Sequence, residues 1–150
     1  MRFVIQRVSE ASVRVEGETV GAIKRGYLVL CGVCETDTRA EADRMCEKLL
    51  KLRINADEEG KTNLSLTDVS GDLLVVSQFT LYADCRKGNR PSFTRAGSAE
   101  HAEALYQYVC QKLAASGVRV ETGVFGAHME VSLVNDGPFT VILDSEELKR

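Results

Sequence analysis

Apolar residues run or alternate through Phe3, Val4 and Ile5 and return at Val13 and Val15. This predicts a strand over 2–15 with a break near Ser9–Glu10. Glu16-Gly17-Glu18 reads as a hairpin turn into a strand ending at Ile23. The run YLVLCGV at 27–33 suits a strand buried on both faces. Thr38 and Glu41 form a capping-box pair. Ala42, Met45, Cys46, Leu49 and Leu52 follow at helical spacing, which predicts a helix to about Arg53. Residues 56–72 are polar and read as a loop with one short strand. LLVVSQF at 73–79 is the next buried strand. Residues 84–97, DCRKGNRPSFTRAG, have no periodicity and read as a loop. Ser98 then caps a helix with Ala102, Leu105, Tyr106, Val109 and Leu113 on one face, stopped by Gly117. Strands at 118–124, 129–134 and 140–143 finish the chain, the last two separated by the turn residues Asn135-Asp136-Gly137-Pro138. Seven or eight strands with two main helices predict an α+β fold built on a curved sheet or β-barrel.

Length and charge narrow the picture. A chain of 150 residues fits a single domain able to bury a core unaided. The net charge of −3 gives no domain-wide basic footprint, so any contact with nucleic acid must be local. The opening MRFVIQRVSE lacks the apolar core of a signal peptide, and no apolar run approaches the ~20 residues that span a bilayer. Five cysteines, an odd number, read as reduced thiols of a cytoplasmic protein with no membrane partner.

The common hardware of hydrolases is missing. The two histidines, His101 and His128, fall in different elements. His101, in the first turn of a helix, reads as solvated. His128 has no orienting carboxylate at a recognisable spacing. Cys31 and Cys34 form a CxxC, but within or at the end of a buried strand and with no helix behind it, so buried thiols are the better reading. No cluster has metal-ligand spacing, and neither a metal nor a cofactor is expected.

Three segments hold polar residues in unusual places. Ser77, Gln78 and Thr80 interrupt a buried strand where it ends. Polar groups there must be capped locally or functional, because an unsatisfied buried hydroxyl costs about 1–3 kcal/mol. Asn135-Asp136-Gly137-Pro138-Phe139-Thr140 alone reads as a plain turn. Arg86, Lys87, Arg90 and Arg95 concentrate cations on the loop after the first segment, where they suit either phosphate contact or a solvated surface.

Together, MRFVIQRV at 1–8, SQFTLYAD at 77–84, KGNRPSF at 87–93, FGAHMEV at 125–131 and NDGPFT at 135–140 resemble the D-aminoacyl-tRNA deacylase family of bacterial and eukaryotic type, essentially end to end. The resemblance implies one domain over 1–150 and a homodimer. Its substrate is D-aminoacyl-tRNA, held by the acceptor end, whose ester is hydrolysed to free D-amino acid and tRNA. Glycine mischarged on alanine tRNA is a further substrate it raises. Ser77, Gln78, Phe79 and Thr80 would line the ester site, with Met129 among the substrate contacts. The Gly137-Pro138 bond would be cis and inserted into the partner's site to reject L-substrates, with Arg7 orienting it. A sister family acting on L-alanyl-tRNA has proline and alanine where Ser77 and Phe79 stand, which puts this chain on the D-specific side. Two routes stay open: Thr80 as nucleophile, or attack by water assisted by the terminal ribose 2′-OH. Two other functions compete: a non-catalytic RNA-binding module using the 86–95 loop, and a small-ester hydrolase indifferent to RNA.

Overall fold

Residues 1–149 are described in a computed structural model. Strand β1 (Arg2–Val15) runs into a tight turn at Glu16-Gly17, whose φ angles of 50° and 81° bring Val15 opposite Glu18. Strands β2 (Glu18–Ile23) and β3 (Gly26–Gly32) then return along β1 as two consecutive antiparallel segments. The expected break near Ser9–Glu10 is a change of phase within one strand. Phe3 and Ile5 face one core, whereas Val8, Ala11 and Val13 face another. The chain bends without leaving the sheet.

Helix α1 (Arg39–Lys51) starts on the capping box: Thr38 accepts from an amide of the first turn, and Glu41 accepts from the Thr38 amide. The Thr38 hydroxyl and amide hold the Glu41 carboxyl down at about 2. The helix stops two residues short of Arg53, with Leu52 extended at its C-cap. The polar stretch after it holds two short strands rather than one, β4 (Asn55–Ala56) and β5 (Thr62–Leu64), in a separate hairpin. Strand β6 (Asp72–Ser77) is parallel to β3, and its Leu73–Val76 are buried on both faces. It ends at Ser77, and a 3₁₀ turn takes over at Phe79–Tyr82, earlier than the predicted strand end. Helix α2 (Ala99–Ala115) is capped by Ser98 and stops before Gly117, whose φ is 94°. Strand β7 is short (Val120–Thr122), less than half the predicted 118–124.

The last strand departs most from expectation. β8 (Glu130–Asp144) is a single 15-residue strand, not two strands joined by a reversing turn. Val131–Val134 pair with Glu10–Val13, and Thr140–Leu143 pair with Phe3–Gln6, in the same antiparallel sense. Between the pairs Gln6–Thr140 and Val8–Asn135, one residue of β1, Arg7, therefore faces four of β8, 136–139. Residues 136–139 are extruded as a bulge. A turn-rich tetrapeptide is equally suited to reversing a strand or to leaving it briefly; the pairing of both flanks with β1 decides.

The sheet runs β2-β1-β3-β6-β7 with β8 on the other side of β1, and it curls so that β2 comes near β7. Both helices cover one face over a core of Phe3, Ile5, Tyr27, Leu49, Leu73 and Val109, and a second core fills the curl with Val8, Val13, Leu28 and Leu74. This is the α+β curved sheet or barrel that the sequence predicts. No helix among the described residues is long and apolar enough to cross a membrane.

Candidate functional site

The end of β6 opens into a cavity of about 520 Å³, which is lined by Ser77, Gln78 and Phe79, by Ala99 and Tyr106 of α2, and by residues 125–129. Ser77 lies in register with Cys31 of β3, and the Gln78 amide donates to the Cys31 carbonyl at 2.8 Å. That bond ends the ladder and lets the backbone roll into the 3₁₀ turn. Below the turn, Tyr82 is buried at 3% exposure, with the Arg2 guanidinium 4.7 Å from its ring centroid. Arg2 also donates to the Leu81 carbonyl at 2.6 Å and pairs with Asp144 at 2.9 Å, tying the turn to the end of β8. In the sequence, an Arg beginning a strand carries no signal of where its long side chain reaches.

The turn presents two main-chain donors. The first N–H groups of a helical turn have no partner inside it. Those of Phe79 and Thr80 meet no backbone acceptor among the described residues. The Thr80 hydroxyl accepts from Gln78 Nε2. Both residues are exposed, Phe79 at 56%.

Among the described residues, no carboxylate lines the cavity. Its floor is uncharged: burial pushes the Cys31 thiol and the Tyr106 hydroxyl up, and Tyr106 donates to the Val75 carbonyl at 2.7 Å. His128 is an exposed lining residue, and Met129 lines the same wall. His101 is not simply solvated as expected, for its Nε2 is buried without a partner. All five cysteines are free thiols. Among the described residues, no group of three or more His, Cys, Asp or Glu side chains is placed to hold a metal ion.

Gly137, Pro138 and Arg7 stand apart from this cavity within one chain. Gly137 and Pro138 are exposed at the tip of the β8 bulge, and the bond between them is cis. Arg7 lies beneath, opposite the bulge. Its Nε donates to the Asp136 carbonyl at 3.0 Å, its Nη1 donates to the Ile54 carbonyl at 2.7 Å, and its guanidinium lies 4.7 Å from the Phe139 ring centroid. Asn135 closes the base of the bulge. Its Nδ2 donates to the carbonyls of Arg7 and Phe139 at 3.0 and 2.9 Å, and its Oδ1 accepts from the Phe139 amide at 3.1 Å. The turn composition around Asn135 carries no sign that its amide spans the bulge.

The cationic loop is braced at both ends. Asp84 and Ser92 exchange backbone hydrogen bonds of 2.7 and 2.9 Å, and the Glu35 and Gly97 amides donate to the Arg95 and Val33 carbonyls. Arg86 is held by Asp84 through bonds of 2.9 and 2.7 Å. Arg95 lies 5.6 Å from the Tyr82 ring centroid. Lys87 and Arg90 remain at the exposed tip.

Residues 4–144 match the family described as D-Tyr-tRNA(Tyr) deacylase. A D-aminoacyl-tRNA deacylase of Thermotoga petrophila is 56% identical over 148 residues, covering 99% of each chain. One of Chloroflexus aurantiacus is 58% identical over 149 residues, covering 99% of this chain and 93% of the relative. A solved structure titled "c-Myc DNA Unwinding Element Binding Protein" superposes with a TM-score of 0.91 at 42% identity, covering 96% of this chain and 98% of that one.

Proposed function

The chain belongs to the D-Tyr-tRNA(Tyr) deacylase family, and on that premise we propose that residues 1–150 act as one deacylase domain hydrolysing the ester of D-aminoacyl-tRNA to free D-amino acid and tRNA. The observation that carries the chemistry is the pair of main-chain N–H groups without a backbone acceptor at Phe79, which lines the cavity, and at Thr80, the next residue, which does not. An aminoacyl ester is already activated. Fixed donors at the developing oxyanion supply stabilisation that needs no reorganisation during the reaction. Water attacks the ester carbonyl, the bond to the ribose 3′ oxygen breaks, and that oxygen takes the proton. Among the described residues no carboxylate lines the cavity, and its one imidazole, His128, has no hydrogen-bond partner to orient it, so the assistance to the water is assigned to the adjacent ribose 2′-OH.

Selectivity belongs to a second element. Gly137-Pro138 is exposed on the β8 bulge and does not line its own chain's cavity, so it acts on the site of a second copy in a homodimer. On β8, Ile142 is 63% exposed on the side of the strand opposite Val141 and Leu143, an apolar residue free for such a contact. A selector made of main chain rejects an L-side chain by sterics whatever its chemistry. It cannot reject glycine, which has no side chain.

The test is hydrolysis of D-Tyr-tRNA, L-Tyr-tRNA, Gly-tRNA and a simple D-tyrosine ester by the purified protein. D-Tyr-tRNA and Gly-tRNA are expected to be cleaved, with L-Tyr-tRNA spared and the simple ester slow. Comparable rates on D- and L-Tyr-tRNA would sink the selectivity. Equal rates on the simple ester would mark a hydrolase indifferent to RNA.

The cationic loop gives a second prediction. Arg86 already has a carboxylate partner, so Lys87 and Arg90 should carry the phosphate contact. Neutralising Lys87 and Arg90 is expected to raise KM for aminoacyl-tRNA. It should also flatten the salt dependence by about 0.7 in log–log slope per phosphate lost. Arg86→Gln alone should change the slope less. An unchanged slope in the double variant would make the loop a solvated surface.

A further inference from the structure

Two exposed aromatic rings stand together beside the cavity. Phe79 and Phe93 have centroids 5.0 Å apart at an interplanar angle of 69°, an edge-to-face pair. They are 56% and 37% exposed. Such a pair occupies the face of only one ring and leaves apolar ring surface open to solvent. A single exposed apolar residue needs no explanation, but two in contact at the rim of a site form a patch that does.

The chain holds Phe93 firmly. It follows the Asp84–Ser92 backbone pair, and its carbonyl accepts from the Ala96 amide at 3.1 Å. Beyond Ser92 the same loop carries Lys87 and Arg90, which form no ion pair among the described residues. A rigid aromatic surface next to a basic tip is the combination by which proteins hold single-stranded nucleic acid: bases stack on rings while cations track phosphates. The local positive charge, in a chain of net charge −3, favours a polyanion here over a second copy, whose identical loop would repel it.

Resting on the deacylase reading, we propose that Phe93 and Phe79 form a stacking platform for the unpaired nucleobase that precedes the terminal nucleoside of the tRNA acceptor end. The ester enters the cavity while the base before it lies on the rings and its phosphate faces Lys87 and Arg90. The platform measures the presence of an RNA strand behind the ester, and it reads no sequence, since every base has a stacking face.

The experiment compares Phe93→Leu and Phe93→Tyr with the unaltered protein on two substrates, D-Tyr-tRNA and the D-tyrosyl ester of adenosine alone. Phe93→Leu keeps apolar bulk against Phe79 but removes the ring. It is expected to raise KM for D-Tyr-tRNA roughly tenfold, at similar kcat. The adenosine ester should change less than about twofold, and Phe93→Tyr should restore the tRNA value. Equal effects on both substrates would show that Phe93 merely props Phe79. No effect on either, or a changed oligomeric mass, would also overturn the platform. Binding of a CCA trinucleotide, followed by fluorescence, provides an arm independent of hydrolysis. Weaker binding by Phe93→Leu upholds the platform even if the deacylase reading fails, and equal binding rejects it even if that reading stands.

Discussion

Replacing the terminal ribose 2′-hydroxyl of D-Tyr-tRNA by hydrogen is expected to slow ester hydrolysis on the order of 10³-fold, the typical contribution of positioned proton transfer. Thr80→Ala should stay within about tenfold of the unaltered protein, whereas loss of a true covalent nucleophile costs on the order of 10⁵-fold or more. The contrast follows from what surrounds Thr80. A nucleophilic hydroxyl needs an acceptor for its proton and a free lone pair for attack. Here the Gln78 amide donates to the oxygen instead; among the described residues no carboxylate lines the adjacent cavity, and its one imidazole, His128, has no hydrogen-bond partner to orient it. Burial keeps the Cys31 thiol protonated, so it is no base either. The neighbouring main-chain N–H groups survive any side-chain substitution at 80, which is why the alanine variant should retain them. Single-turnover hydrolysis of the two esters by both proteins checks this. Full activity on the 2′-deoxy ester, or a collapse of Thr80→Ala with its fold intact, would move the chemistry onto the protein side chain.

What the sequence exposed and what it hid divide along physical lines. Elements governed by neighbours in the chain were legible. The Thr38/Glu41 box, the Ser98 cap, the Gly117 stop and the doubly buried β6 all follow from local hydrogen bonding and periodicity. Features set by distant pairing were not. The phase change in β1 looked like a break, because local alternation cannot show that β2, β3 and β8 hold the strand together across it. Asn135-Asp136-Gly137-Pro138 carries the composition of a reversal, yet the pairing of both flanks with β1 makes it a bulge. The candidate site divided in the same way. Polar residues at the end of a buried strand singled out Ser77, Gln78 and Thr80. The use of Arg2, Asn135 and Phe93 depends on side chains reaching across the sheet or loop, which no spacing reveals. The cationic loop was legible as charge, but the capture of Arg86 by Asp84 two residues away was not drawn from it.

Gly137→Ala is expected to lower the D-over-L preference about 10²-fold, the scale on which a displacement of about 1 Å disturbs a positioned group. Gly137 has a φ of 146°, which an L-residue rarely adopts. A Cβ there would stand 2.8 Å from the Phe139 amide nitrogen and 3.2 Å from Arg7 Nη2. The first of these is main chain, so the bulge itself must shift. Asn135→Ala should act in the same direction by a different cause. It removes three hydrogen bonds at the base of the bulge and leaves the Phe139 amide and carbonyl without their partner. Neither residue lines its own chain's cavity, so hydrolysis of D-Tyr-tRNA should fall less than discrimination does. That split separates a displaced selector from general damage: partial unfolding would lower the rates on D- and L-esters together. Mass measurement guards the other side, since a selector acting on a second copy is lost if the variant becomes monomeric. A dimeric Gly137→Ala protein that still spares L-Tyr-tRNA would show that the bulge takes no part in the selection, and the discrimination would then have to reside in the walls of the cavity around Phe79 and Met129.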